Sequence, residues 1–224
     1  KVKECLNDEA PYFWMFERED GGYNFAFSYT KNHPDCLAIP ASDYKDCTVY
    51  VPAKYAQRLA GFALSNAMML LYTFNTTPHD TLMVHASVIA HDGGAYMFLG
   101  RSGTGKSTHS RLWIEHLGAA LLNDDNPIVR IVDGKALVYG SPWSGKTACY
   151  CNEGVLLKAL FFMEQALENQ LTPLTGIETF QQLMKATSLM GRDTVTFRAI
   201  SSTQASVSGA IPAFRFQNRP TEEA

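Results

Sequence analysis

Gly100-Arg101-Ser102-Gly103-Thr104-Gly105-Lys106-Ser107 matches G-x-x-x-x-G-K-[ST], a Walker A or P-loop pattern. Roughly one chain in a hundred of this length would carry such a match by chance. Glycines let the backbone curl until successive N–H groups point into one concavity. A helix starting at the end of the loop adds the positive end of its dipole. The residues expected to bind phosphate are Gly100, Ser102, Gly103, Thr104, Gly105, Lys106, Ser107 and Thr108. Lys106 would reach the β/γ-phosphates and the Ser107 hydroxyl would hold magnesium, so ATP and Mg are the expected cofactors.

The pattern occurs twice. Gly140-Ser141-Pro142-Trp143-Ser144-Gly145-Lys146-Thr147 also matches. Pro142 removes one donor N–H inside that loop. Ala148-Cys149-Tyr150-Cys151-Asn152 comes next, a poor helix start. The second copy is therefore not expected to be an independent nucleotide site. Two readings of it stay open: Lys146 beside the first loop, or a structural loop with a solvated lysine.

Asp124 and Asp125 come after Lys106 by one helix and one strand's worth of chain. Carboxylates at a strand end beside a phosphate loop can hold Mg²⁺ or accept a proton from an attacking hydroxyl. Adjacent strand residues point to opposite sides, which suggests one working aspartate and one supporting it. His85, on the strand before the loop strand, is either a core histidine or a group that orients a carboxylate or contacts phosphate. The candidate catalytic residues are Asp125, Asp124, His85 and Lys106; the candidate metal ligands are Ser107, Asp124 and Asp125. Arg101 and Arg111 are less specific candidates, and Arg130 less again. His109 and Trp113 are expected to pack or to face solvent.

Several elements must place these groups. Leu82–Ala90 and Ala95–Leu99 read as strands joined by a hairpin turn at His91-Asp92-Gly93-Gly94. Ser107–Leu117 reads as a helix closed by Gly118. Leu121-Leu122 ends a short strand. Ile128–Val132 and Ala136–Tyr139 pair across Asp133-Gly134. Leu157–Met163 is a buried strand or helix that periodicity does not decide. Thr175-Gly176-Ile177-Glu178 fits a capping box that opens a helix through about Met190. Upstream, residues 1–52 suggest short strands with turns at Gly21-Gly22, Asn32-His33-Pro34 and Ser42-Asp43. Tyr55–Phe74 reads as a helix broken by Asn75-Thr76-Thr77-Pro78. The expected fold class is α/β: a mixed-sheet P-loop core over 79–224, with a small N-terminal α+β lobe over 1–78 packed on it.

The chain has 224 residues, a net charge of −3 and a charged fraction of 18%. Nucleic acid and membrane surfaces are not expected partners, because they need a strong basic footprint. The longest apolar run, Leu59–Phe74, is interrupted by Gly61, Ser65 and Asn66 and is short for a bilayer. Five cysteines, an odd number without zinc-knuckle spacing, suggest a reducing, cytoplasmic location. The start at Lys1 and the final Thr221-Glu222-Glu223, a helix start with no helix after it, suggest a trimmed or processed chain.

Val84-His85-Ala86-Ser87, then Gly100–Thr108, then Leu122-Asn123-Asp124-Asp125 resembles the superfamily of HPr kinase/phosphorylase and ATP-dependent phosphoenolpyruvate carboxykinase. Ser102–Lys106 is similar to the carboxykinase loop, while the layout and size are similar to the HPr kinase catalytic domain. Gly140–Lys146 resembles a hallmark of an HPr kinase-like subgroup. The resemblance covers 82–140 well and 141–190 loosely. It implies the fold just described, Mg·ATP, Lys106 on the phosphates, and Ser107 with one aspartate on the metal. It also implies the other aspartate, helped by His85, near the acceptor. Thr108 departs from the glutamate usual after Lys-Ser in HPr kinases.

The expected function is an ATP- and Mg-dependent phosphotransferase. Its acceptor would be a hydroxyl of a protein, peptide or small molecule, and a homo-oligomer is left open. The alternative is a catalytically inactive ATP-binding regulatory or sensing module.

Overall fold

The computed structural model describes residues 1–5, 12–30, 33–187 and 193–219. Asn32, Met190 and Thr221 lie outside the described residues. The chain divides into two units, Lys1–Thr76 and Thr77–Ala224.

The first unit is a five-stranded antiparallel sheet in chain order: β1 (Val2–Cys5), β2 (Phe13–Arg18), β3 (Tyr23–Phe27), β4 (Cys36–Pro40) and β5 (Cys47–Tyr50). The β2–β3 turn falls at Gly21-Gly22, where Arg18 N–H donates to Gly22 O. Helix α1 (Ala56–Thr76) packs on β3, β4 and β5. Its buried residues, Leu59, Ala63, Ala67, Leu70 and Thr73, recur every three or four positions and form one stripe. The helix runs past the break expected at Asn75. The Asn75 amide donates to Leu71 O (2.8 Å) and Thr76 Oγ1 to Tyr72 O (2.8 Å), so these residues bond back to their own helix.

The second unit holds β6 (Thr81–Met83), β7 (Ala86–His91), β8 (Gly94–Leu99), α2 (Lys106–Leu117), β9 (Ala120–Asn123), β10 (Ile128–Val132) and β11 (Lys135–Tyr139). After these come β12 (Val155–Gln165), β13 (Gln170–Pro173), α3 (Gly176–Ala186), α4 (Thr194–Ala210) and β14 (Ala213–Asn218). The strand order is β6-β10-β11-β12-β8-β7-β9, with β14 also on β12 and β13 on β14. The sheet is mixed, as expected. β12 runs parallel to β8 and β14 and antiparallel to β11. The stretch that periodicity left undecided is therefore the middle strand.

Alternation along the strands separates two cores. Ala95, Met97, Leu99, Leu160 and Phe162 join Leu183 of α3 and Ile200 and Val207 of α4. Phe98 and Met163, with Tyr96 and Phe161, join Trp113 of α2 and Phe216. The β7–β8 turn places Asp92 (φ 46°) and Gly93 (φ 69°) in the left-handed region, and Asp133 (50°) and Gly134 (74°) do the same between β10 and β11. Both are the two-residue hairpins that Asp-Gly signals. The capping box closes in both directions: Glu178 N–H donates to Thr175 Oγ1 (3.3 Å), and Thr175 N–H to Glu178 Oε2 (2.8 Å).

One strand expectation is corrected. Leu82–Ala90 is not continuous; it breaks at Val84-His85. β6 pairs with β10, whereas β7 pairs with β8 and β9, so the chain changes neighbours between them. His85 N–H donates to Ala186 O (2.7 Å) instead of to a strand.

All five cysteines are free, and among the described residues no helix is long and apolar enough to cross a membrane. Leu160 of β12 is fully buried between neighbouring strands. Leu160→Ala is expected to lower unfolding free energy by about 2–5 kcal/mol, read from chemical denaturation.

Candidate active site

Between Leu99 of β8 and Lys106 of α2 the backbone takes positive φ at Gly100 (152°), Gly103 (87°) and Gly105 (101°). A Cβ on Gly100 would stand 2.7 Å from Thr104 Oγ1 and 3.0 Å from the Met163 carbonyl, so glycine alone fits. Gly105 is the N-cap of α2, and no side chain caps that helix. His109 N–H is bonded back to Gly105 O (2.9 Å). The amides before it point out of the helix end without an intrahelical acceptor. A concave, uncapped helix start suits an anion.

Lys106, the first residue of α2, is only 8% exposed. Its ammonium donates to Gly100 O (2.9 Å) and Arg101 O (3.3 Å) and lies 3.3 Å from His85 Nε2. Burial pushes its pKa below the usual lysine range, while the charges of Asp125 and Asp124 oppose that shift. His85 Nδ1 is 3.2 Å from Asp125 Oδ1. A neutral imidazole carrying its proton on Nδ1 fits both contacts: it accepts from Lys106 and donates to Asp125. The strand break at His85 leaves its side chain 46% exposed, so it is not a core histidine.

The two aspartates are held differently. Asp124 Oδ1 accepts from Ser87 Oγ (2.6 Å), and Ser87 Oγ is 2.6 Å from Ser110 Oγ on the inner face of α2. Both serines are buried. Thr147 Oγ1 is 3.4 Å from Asp124 Oδ2. Asp125 Oδ2 accepts from the Asn126 side-chain amide (2.9 Å). Asn123 Oδ1 accepts from the amides of Asp125 and Asn126 (2.9 Å each) and fixes the turn.

That turn is stitched to the second Gly-Lys loop. Ser141 Oγ donates to Asn126 O (2.7 Å), and Asn126 N–H donates to Trp143 O (3.0 Å). A Cβ on Gly145 (φ 68°) would lie 3.0 Å from Asp125 Cβ. No helix succeeds this loop. Lys146 lies at the cleft of the first loop and is exposed to solvent.

A cleft of 460 Å³ gathers His85, Ser102, Gly103, Gly105, Lys106, Ser107, Thr108, Asp124, Asp125, Gly145 and Lys146. Gly100 and Thr104 line a second cleft of 570 Å³, together with His85 and Arg101. Arg111 pairs with Glu115 on the surface of α2 (3.7 Å), and Arg130 is exposed on β10. His109 is fully buried, with Nε2 3.1 Å from Asn218 Oδ1, and burial holds its pKa below the usual histidine range. Trp113 packs on Tyr96 and Phe98. Both therefore pack, one of the two roles expected.

Among the described residues no three His, Cys, Asp or Glu side chains group to hold a metal alone. Asp124, Asp125 and Ser107 share one cleft, however, and magnesium characteristically takes one or two carboxylates plus phosphate oxygens. The donor set fits an ion shared with a phosphate ligand.

Sequence reading missed Ser87, Ser110, Asn123 and Ser141. The available signal was a polar residue inside an apolar strand at Ser87. If the Ser110–Ser87–Asp124 chain is a unit, the double-mutant cycle of Ser87→Ala and Ser110→Ala should show coupling of about 0.5–3 kcal/mol in denaturation. Additive losses would break the chain into separate contacts.

No family model matches the chain, and no curated protein does. Among solved structures, the Hpr(Ser) kinase/phosphatase from Coxiella burnetii is similar over 61% of this chain and 86% of that chain, with 10% identity and a TM-score of 0.36. A likeness of that size carries no argument about fold or function.

Proposed function

We propose that this protein is an ATP- and Mg-dependent phosphotransferase acting on a hydroxyl acceptor. The observation that carries the reading is one cleft that combines an uncapped, glycine-curled helix start, a buried lysine ammonium and two aspartates. Each has a place in phosphoryl transfer, where catalysis is mostly positioning and charge neutralisation.

The loop amides from Ser102 to Thr108 and the Lys106 ammonium hold the phosphates. Lys106 leaves the Gly100 and Arg101 carbonyls for a stronger, charged acceptor. Ser107 and Asp124 would hold the magnesium ion, which when bound supplies positive charge to the phosphates. Asp124 suits that role because it lines the cleft with one oxygen fixed by Ser87 and the other held by the longer Thr147 contact (3.4 Å). Asp125 takes the proton of the attacking hydroxyl. His85 Nδ1–H and the Asn126 amide hold its carboxylate in place. The Lys146 ammonium offers a second positive charge at the same cleft.

The test is transfer of the γ-phosphate from labelled ATP to hydroxyl compounds, read together with ADP release. Lys106→Ala and Asp125→Asn should each lower it by about 10²-fold or more. Transfer that survives both substitutions overturns the assignment. Nucleotide binding without transfer, seen as stabilisation by mass action, would favour a sensing module.

The lowered pKa of Lys106 sets a pH dependence. Anion binding needs the charged ammonium. Affinity for Mg·ATP therefore falls as pH rises through that pKa, starting below the range where an ordinary lysine titrates. Lys106→Arg stays charged and should abolish the alkaline fall, as measured by titration calorimetry across pH.

A further inference from the structure

We propose that the second cleft is the acceptor subsite of this kinase, and that its ligand is a small hydroxylated carboxylate. The inference rests on the phosphotransferase reading above and names its acceptor class. Its volume, 570 Å³, falls in the range of small-molecule sites. The cleft lies beside the phosphate loop and shares His85 with the first cleft. A molecule seated there meets the transferred phosphate at the His85–Asp125 pair.

The charge of the walls gives the ligand class. Arg101 from the loop and Lys185 from the last turn of α3 both line the cleft. Neither has a carboxylate partner among the described residues. The one carboxylate lining the cleft, Glu164, is met by Arg215 at 3.6 Å. The cleft therefore carries an excess of positive charge with no internal answer. Phe162 and Met163 of β12 also line it. Two cations suit a compact molecule with one anionic end, and a guanidinium donates paired hydrogen bonds to a carboxylate.

The backbone ties this wall to the chemistry. His85 N–H donates to Ala186 O, the residue after Lys185. That main-chain bond (2.7 Å) holds the last turn of α3 against the backbone at His85. With its carboxylate on Arg101 and Lys185, the acceptor turns its hydroxyl toward Asp125. The hydroxyl oxygen forms a bond to the γ-phosphorus, and the bond from that phosphorus to the β–γ bridging oxygen breaks. The hydroxyl proton goes to the Asp125 carboxylate, and ADP leaves with the electron pair.

Glycerate and glycerol serve as matched probes, since they differ in the carboxylate. Each is titrated into the intact chain with Mg²⁺ and a non-hydrolysable ATP analogue. Glycerate should bind about tenfold or more tightly than glycerol. Lys185→Glu should weaken glycerate by about tenfold while leaving affinity for the analogue within about twofold, and Arg101→Glu should weaken glycerate by about tenfold. Equal binding of the two probes, or no glycerate binding, overturns the proposal. Equal weakening of the analogue by Lys185→Glu overturns it too, because that cation would then belong to the nucleotide. Glycerate binding that depends on Arg101 and Lys185, without any binding of the analogue, would fail the kinase reading and keep the anionic subsite.

Discussion

A buried ammonium cannot stand without oxygens around it, and the second unit of this fold is arranged about Lys106. Taking such a charge out of water costs several kcal/mol unless acceptors and opposite charges replace the lost hydration. Two loop carbonyls, the His85 imidazole and the fields of Asp124 and Asp125 supply that replacement. Each comes from a different element. The carbonyls need the curl that Gly100, Gly103 and Gly105 permit. The imidazole needs the strand to break between β6 and β7. The aspartates need β9 to end where Asn123 folds the chain into a turn. Satisfying the lysine therefore assembles the cleft.

The same arrangement explains why the sheet is mixed. β8 and β12 run parallel, and the loop leaves the end of β8 beside Phe162 of β12. β7 runs antiparallel to β8 and brings His85 and Ser87 from its start, while β9, antiparallel to β7, runs with β8 and delivers the aspartates from its end. Groups that approach a loop from both strand directions can face each other across a cleft, whereas an all-parallel sheet would deliver them from one side.

Local chemistry made much of this legible in sequence. Asp92-Gly93 and Asp133-Gly134 state their hairpins, Thr175 and Glu178 state a helix start, and Gly118 states a helix end. The loop is legible because its glycines have a geometric reason and its lysine a chemical one. The break at His85 was not legible. Leu82 to Ala90 is largely apolar, and nothing local says that its two halves pair with different neighbours. That change is decided by β10 and β9, which lie far along the chain. The serine chain was hidden for a similar reason: Ser87 and Ser110 become partners only when α2 folds onto β7. Likewise the middle strand β12 shows a long apolar run, because burial on both faces removes the alternation that would mark a strand.

The second Gly-Lys loop separates pattern from mechanism. Gly145-Lys146-Thr147 satisfies the same spelling as Gly105-Lys106-Ser107, but it opens no helix, so it has no row of free amides and no dipole to offer an anion. Its left-handed glycine serves closeness instead, letting the backbone pass within van der Waals reach of Asp125. Thr147 approaches Asp124, and Lys146 reaches the cleft. One copy of the pattern thus makes a cradle and the other a wall facing it. The distinction lies in the chain just after the glycine: a helix gathers N–H groups, whereas a turn delivers a single side chain.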